Sequence, residues 1–192
     1  NPESATVDDA AATARAQRVD FIVGLGGGST IDGAKSIALM AANDRFVSYL
    51  DIPLQHASRK VLKAMKRGGN AASYSRLIER ARATVPDIAL RTTFIVGFPG
   101  EGESEFAELT GFVEEIGFDQ SFSFIYSARP GTPAASLADD TPLTVKKERL
   151  RILQARINQQ AMNISRGMVG TTQRVLVEKT SKKDVAQLAG RT

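Results

Sequence analysis

The chain has 192 residues, of which 42% are hydrophobic and 24% are charged, and this composition is typical of a globular protein and excludes a disordered one. No apolar run approaches the roughly 20 residues of a membrane-spanning helix, and no basic stretch followed by an apolar one opens the chain. The sequence has no cysteine, which excludes disulfides, thiolate nucleophiles, zinc fingers and thiolate-held clusters; its single histidine, His56, excludes a three-histidine metal site. We therefore expect a cytoplasmic protein without a membrane partner.

The first 43 residues are predicted to form a helix followed by one βα unit. The pattern predicts a helix over 7–18, a buried strand over 20–25 and a second helix over 30–42. Three glycines and a capping serine join the strand to the second helix: Gly26, Gly27, Gly28 and Ser29. Glycines let backbone N–H groups approach an anion closely, and a helix N-terminus favours negative charge, so these four residues are candidates for binding nucleotide phosphates. A plain tight turn is the alternative.

From residue 49 onward, predicted strands and helices alternate. The strands are expected over 49–54, 88–96, 121–126 and 174–177, and the helices over 58–67, 72–83, 104–116 and 145–168. Alternation of this kind favours a mostly parallel sheet with right-handed crossovers. Four such strands are too few for a closed eight-stranded barrel. The predicted fold class is therefore α/β, a mostly parallel open sheet or partial (β/α) barrel with flanking helices.

Candidate ligand-binding residues lie where the predicted strands end. In sheets of this type ligands bind at the carboxyl ends of the strands. The residues at or near these ends are Gln55, Gly97, Phe98, Glu101 and Phe124. The alternative is that the turn over 97–101 is purely structural, that Glu101 is a solvated first-turn acid and that the aromatic ring belongs to the core. His56 is predicted to be a loop residue, because no nearby pattern makes it a catalytic base.

Charge is distributed unevenly along the chain. Residues 144–192 carry eleven Lys and Arg against three Asp and Glu, whereas the remainder is net negative. A basic tail on an acidic body is a possible nucleic-acid footprint, and a solvated helix face is the alternative. The candidate RNA-binding residues are Arg129, Lys146, Lys147 and Arg174. We expect a monomer, with RNA as the candidate macromolecular partner.

The N-terminal region resembles one enzyme family. The run over 20–43, with the motif GGGSxxDxxK, is similar to the N-terminal domain of iron-dependent alcohol dehydrogenases. That resemblance implies that the glycine turn binds the pyrophosphate of NAD(P). The metal ligands of that family lie in a C-terminal helical domain with no counterpart in this sequence. Hydride transfer by that route is therefore not expected.

The rest of the chain, from about residue 47, resembles a second family, the methylthiotransferase branch of the radical SAM enzymes. The runs YLDIPLQHAS at 49–58 and RTTFIVGFPGE at 91–101 are most similar to ribosomal-protein-modifying members, up to about residue 119. The runs FSFIYSARPGTPAA at 122–135 and GTTQRVLVE at 170–178 are similar to tRNA-modifying members. The resemblance implies a partial barrel, a SAM site near the strand ends named above, and a C-terminal RNA-binding TRAM barrel of which only the opening strand is present.

The same family implies three cluster-ligating cysteines, which this sequence lacks. From that lack we expect no iron–sulfur cluster, no required cofactor, at most weak binding of SAM or NAD(P), and no enzymatic activity of the chain by itself. The simplest interpretation is a chimeric, engineered or designed scaffold. The alternatives are a methylthiotransferase fragment that retains tRNA binding and an NAD(P)-binding remnant. The predicted segments are a dehydrogenase-like unit (1–43), a half barrel (44–143), a basic amphipathic helix (144–169) and a truncated TRAM-like strand with a tail (170–192).

Overall fold

A computed structural model describes residues 48–139 and 141–191. Over this part of the chain, strands and helices alternate before a final pair of strands. In chain order the elements are β1 (Tyr49–Gln55), α1 (Arg59–Ala64), α2 (Ala71–Thr84), β2 (Ala89–Val96), α3 (Glu103–Ile116), β3 (Gln120–Ile125), a 3-10 turn (Pro133–Ser136), α4 (Leu143–Gly167), β4 (Leu176–Thr180) and β5 (Leu188–Arg191).

The first three strands form a parallel sheet in the order β1-β2-β3. In the central strand β2 every second side chain is buried: Leu90, Thr92, Phe94 and Val96. Successive side chains of a strand point to opposite faces, so this alternation gives the sheet one face that packs on helices. Thr92 is tolerated on that face because its hydroxyl donates a hydrogen bond of 2.8 Å to the Ile52 carbonyl.

Local signals set the ends of the helices that cover this face. α2 begins at a reciprocal cap, in which Asn70 Oδ1 accepts from the Ser73 N–H at 2.8 Å and Ser73 Oγ accepts from the Asn70 N–H at 2.9 Å. α3 ends at Gly117, whose φ of 65° lies in the left-handed region that glycine adopts without steric cost. Phe118 follows and meets Phe94 edge to face at 5.6 Å, which joins helix and sheet in one core.

The long helix α4 packs against β3 and α3 with only the first part of its apolar stripe. Leu153 and Ile157 are buried, whereas Ala161 and Ile164 are partly exposed and Met168 is exposed. The 3.6-residue pattern extends to Met168, but the core that it faces ends about three turns earlier. Periodicity shows which face of a helix is apolar and leaves open how far along the helix that face is covered.

The face of the sheet opposite the helices carries exposed aromatic rings. Tyr49, Phe122 and Phe124 are 40%, 48% and 53% exposed. The Arg91 guanidinium lies 5.4 Å from the centre of the Tyr49 ring and 4.9 Å from that of Phe122. Its Nε and Nη2 both donate to Asp51 Oδ2, at 2.8 and 2.6 Å. A cation and aromatic rings therefore share this open face.

Strands β4 and β5 pair with each other in an antiparallel hairpin. The sequence predicts one strand over 174–177 followed by a polar tail. The structure differs from this prediction, because part of the tail forms the second strand, β5. The tail becomes a strand because Leu188 and its successors find a pairing partner in β4, which a local pattern does not reveal. All five residues of β4 are exposed.

The predicted α/β class, with a mostly parallel sheet and flanking helices, is confirmed. The four predicted segment boundaries stay predictions, and the one near residues 43–46 lies outside the described residues. Among the helices of residues 48–139 and 141–191, none has the length and apolarity needed to cross a membrane.

Candidate functional site

The carboxyl ends of β1, β2 and β3 meet at one edge of the sheet, which we call the carboxyl edge. Gln55 ends β1, Gly97 follows β2, and Tyr126 follows β3 and donates its N–H to the Val96 carbonyl at 2.9 Å. Gln55 has a φ of 72°, which is uncommon for a residue other than glycine. Backbone conformations of this kind cluster at functional sites, because the surrounding structure must hold them in place.

A tight turn from Gly97 to Glu101, which we call the β2 turn, forms the centre of this edge. The Glu101 N–H donates to the Phe98 carbonyl at 2.9 Å, with Pro99 and Gly100 between them. Gly100 has a φ of 84°, and proline followed by such a glycine is the arrangement of a type II turn. Pro99 and Gly100 therefore determine the path of the backbone directly after β2.

The Glu101 side chain is fully buried and holds the β2 turn from inside. Oε2 accepts from the Gly97 N–H at 2.9 Å, and Oε1 accepts from Arg149 Nη1 at 3.0 Å. A buried carboxylate is tolerated only when it is paired and hydrogen-bonded, and both conditions are met here. The interpretation of Glu101 as a solvated acid is therefore wrong, because the carboxylate points into the protein toward a cation supplied by α4.

His56 is also fully buried, beside Glu101. Its Nδ1 accepts from the Ser58 N–H at 3.0 Å, so in the neutral ring the proton resides on Nε2. Nε2 lies 3.4 Å from Glu101 Oε2 without the alignment of a hydrogen bond. The residue lies beyond the end of β1, as expected, but its burial was not predicted. His56 therefore links the N-cap of α1 to the neighbourhood of the buried carboxylate, and it does not reach solvent.

The remaining residues of the predicted SAM set divide into buried and accessible ones. Phe98 is buried, with its ring 4.8 Å from that of Tyr126, whereas Phe124 exposes about half of its ring. A ligand at the carboxyl edge would therefore meet Gly100, which is the exposed residue of the β2 turn, together with the Gln55 side chain and the Phe124 ring. The side chains of Phe98 and Glu101 would support it from beneath.

The predicted RNA-binding residues also differ in exposure. Arg129, Lys147 and Arg174 are exposed. Lys146 is buried, and its Nζ lies 2.5 Å from Asp139 Oδ2, so it has no free charge to offer to a phosphate. The signal was present in the sequence, because 146 and 149 precede Leu153 at the helical spacing of the buried stripe.

The predicted phosphate-binding turn and the iron–sulfur cluster implied by the resemblance are the two remaining binding features. The candidate phosphate-binding residues Gly26, Gly27, Gly28 and Ser29 lie outside the described residues. An iron–sulfur cluster of the thiolate-held kind does not fit the residues present, because the sequence has no cysteine. Within the part of the chain that the structure describes, no group of three or more His, Cys, Asp or Glu could hold a metal ion.

Comparisons with known proteins give two relationships. Residues 1–97 match the family model "Iron-containing alcohol dehydrogenase". The tRNA-2-methylthio-N(6)-dimethylallyladenosine synthase of Ralstonia nicotianae is 54% identical over 159 residues, which are 83% of this chain and 35% of that protein. The enzyme of the same name from Saccharophagus degradans is 58% identical over 146 residues, 76% of this chain and 32% of that protein. The chain thus spans about a third of the length of these relatives.

A solved structure is similar in fold. It is the coproporphyrinogen III oxidase HemN of Escherichia coli, described as a radical SAM enzyme, with a TM-score of 0.54 and 20% identity over 66% of this chain and 30% of that one. The mosaic resemblance predicted from the sequence is confirmed by the two sets of matches. The family-model match continues to residue 97, beyond the boundary predicted at 43–46, so the two relationships overlap along the chain.

The expectation that the chain is not an enzyme is wrong. Its close homologues are tRNA-modifying synthases that share more than half of the aligned residues with it. The expectation rested on the absence of cysteine, which excludes thiolate ligands for a cluster. The absence of cysteine does not exclude a contribution to catalysis by the residues that are present.

Proposed function

Because the chain belongs to the iron-containing alcohol dehydrogenase family through residues 1–97, and because its curated homologues are tRNA methylthiotransferases, we propose that it is a mosaic of the two that works as one part of a radical SAM tRNA-modifying enzyme. In this role its parallel strands supply the adenosine side of a SAM site. Its basic C-terminal region contacts the tRNA. The share of the relatives that it matches, about a third of their length, favours a part over a whole enzyme.

The observation that carries this proposal is the β2 turn. Its backbone is held by the buried Glu101 carboxylate, and it lies beside Gln55 and Tyr126 at the ends of the neighbouring strands. Nucleotides bind to α/β proteins outside the carboxyl ends of the parallel strands, and the β2 turn lies at such an end. SAM, when bound there, supplies a sulfonium centre as cosubstrate.

Cluster ligands have to come from elsewhere. No residue of this sequence offers a thiolate. In an active enzyme the thiolates would therefore come from a segment of the enzyme that has no counterpart in this chain. Without iron to hold its methionine end, SAM would be bound by its adenosine alone. We therefore propose weak binding, with a dissociation constant on the order of 1 mM, which corresponds to about 4 kcal/mol.

Titration of the full chain with SAM tests the ligand. Phe124→Ala should remove most of the heat of binding in calorimetry, because the exposed ring lies near the carboxyl edge. Phe122→Ala is the matched control: its ring is equally exposed on the same face of β3 but lies two residues farther from that edge. Absence of binding by the wild type at about 10 mM SAM, or equal losses in the two variants, would contradict the proposal.

Salt-dependent binding to a tRNA anticodon stem-loop tests the macromolecular partner. Replacing the exposed residues Arg129, Lys147 and Arg174 by Gln should weaken binding and lower the slope of log K against log salt by about 2 to 3, since each phosphate contact contributes about 0.7 to 0.9. The control replaces three exposed arginines of α1 and α2, namely Arg59, Arg76 and Arg80. Equal weakening in both triple variants would show that net charge alone is responsible.

The family-model match over residues 1–97 favours a second candidate, binding of NAD(P) by the turn at Gly26, Gly27, Gly28 and Ser29. Glycines at a strand-to-helix turn give an anion access to backbone N–H groups. NAD⁺ should then raise the melting temperature of the wild type but not of Gly27→Leu, whose side chain would occupy the phosphate position. An identical response of the two proteins to NAD⁺ would remove this candidate.

A further inference from the structure

The first two turns of α4 reach the β2 turn with two cationic side chains. Lys146 and Arg149 are both buried, although a solvated helix face was one interpretation of the basic charge in this region. Burying a cation is costly unless partners replace its water. The partners of these two residues lie in the β2 turn, at the start of α3 and in the loop that follows β3.

Arg149 holds the last residue of the β2 turn by both its backbone and its side chain. Nη1 donates to the Glu101 carbonyl at 2.9 Å and to Glu101 Oε1 at 3.0 Å, and Nη2 donates to Glu103 Oε1 at 2.6 Å. The other carboxylate oxygen of Glu101 accepts from the Gly97 N–H at 2.9 Å. A continuous set of charge-assisted contacts therefore runs from α4 to the end of β2.

Lys146 covers the first residue of the same turn. A Cβ added to Gly97 would lie 2.5 Å from Lys146 Cγ, so the methylene stem rests directly on the Gly97 backbone. The Lys146 ammonium pairs with Asp139 and lies 5.8 Å from the centre of the Tyr126 ring. One side chain thus touches the ends of β2 and β3 and the loop before α4.

We propose that Arg149 and Lys146 are positioning residues that set the shape of the β2 turn, so that α4 controls how tightly the carboxyl edge binds its nucleoside ligand. The claim about affinity rests on the proposed function, whereas the claim about the turn stands on the contacts above. A guanidinium suits this task because its fixed planar fork carries donors on separate nitrogens, so that Nη1 meets the Glu101 carbonyl and carboxylate while Nη2 meets Glu103; an ammonium would have to reach all three acceptors from a single atom. A change in the position of α4, for example when the basic region meets RNA, would reach the ligand site through these two side chains.

The experiment combines calorimetry with SAM and NMR of the Gly97 amide in the full chain. Arg149→Lys keeps the charge and loses the fork, and Arg149→Met loses both. We expect about 3-fold and at least about 10-fold weaker SAM binding, respectively. The control is Arg151→Met, which removes the same charge from the exposed side of α4, where Arg151 pairs only with Glu148 within the described residues, and which should change affinity less than about 2-fold.

The Gly97 amide separates positioning from ligand chemistry. Without any ligand, both Arg149 variants should shift its resonance and speed its hydrogen exchange, while Arg151→Met should not. A Gly97 amide that is unmoved in a folded Arg149→Lys protein would overturn the positioning role. A wild type that does not bind SAM, with the Gly97 effects still present, would overturn the proposed ligand and the claim about affinity but leave the role in shaping the turn supported.

Discussion

The parallel sheet and the C-terminal hairpin use similar residues and reach opposite degrees of burial. β2 and β4 are both rich in β-branched and apolar side chains, yet alternate residues of β2 are buried while Leu176, in β4, is 69% exposed. The sheet has helices from between its strands laid across one face, and the hairpin has no such cover within the described residues. Strand-forming residues therefore give stability only where another layer of the protein excludes water from them.

The largest expected effect comes from removing a ring of the sheet. Phe94→Ala deletes a side chain that is wholly buried and in edge-to-face contact with Phe118, so the free energy of unfolding should fall by about 3 to 5 kcal/mol. Leu176→Ala, in the exposed strand of the hairpin, should cost less than about 0.5 kcal/mol. Urea unfolding followed by circular dichroism measures both. Equal losses would mean that the hairpin is covered in solution.

An intermediate effect is expected from an ion pair at the start of α3, and it depends on pH. Glu105 accepts from Lys60, at 3.1 Å, and from the Gly102 N–H, at 2.8 Å, and these two bonds lower its pKa from 4.5 to about 2. A lowered pKa in the folded state means that the stability from this carboxylate is fully present above about pH 4.5 and is lost as the pH falls toward 2. Because the Lys60 side chain is 63% exposed, solvent screening limits the contribution to about 1 kcal/mol.

Two lysine variants measure that contribution. Lys60→Met should lose about 1 kcal/mol at pH 7 and almost nothing near pH 2, as determined by urea unfolding at each pH. Lys63→Met, on the same short helix, removes an equal charge without this partner and should show no such difference. A loss in Lys60→Met that is independent of pH would point to packing of its methylene groups and against the ion pair.

The smallest effect on global stability is expected in the hairpin. A Cβ on Gly190 would lie 2.5 Å from the Leu176 carbonyl oxygen and 2.7 Å from Val175 Cγ1, so Gly190→Val should separate β4 from β5. Amides of β4 should then exchange faster, while the free energy of unfolding of the sheet changes by less than about 0.5 kcal/mol. Hydrogen exchange combined with urea unfolding would show this, and a loss above about 1 kcal/mol would mean that the two regions unfold together.

The sequence was sufficient for the elements whose signals are local. β2 was predicted to within one residue because its alternation is regular, and α3 because Gly117 ends it. β5 was missed, since residues 188–191 alternate weakly and become a strand only by pairing with β4. Pairing between segments is a tertiary interaction, and no local propensity contains it.

The candidate site was predictable in position and not in its internal contacts. Strand ends identified Gln55 and Gly97, since parallel strands bring their carboxyl ends together. The buried contact between Glu101 and Arg149 joins residues 48 positions apart, so it depends on how α4 docks. The same docking turns Lys146 inward, although its charge alone favoured a surface role.

The open aromatic face of the sheet has a consequence for handling the protein. Parallel sheets in folded proteins are usually covered on both sides, whereas within the described residues Tyr49, Phe122 and Phe124 on this face are 40%, 48% and 53% exposed. An exposed apolar surface of this kind associates non-specifically with other apolar surfaces. Concentrated solutions of the protein should therefore scatter light and bind fluorescent hydrophobic dyes. A polypeptide or detergent that binds this face of the sheet should reduce the light scattering.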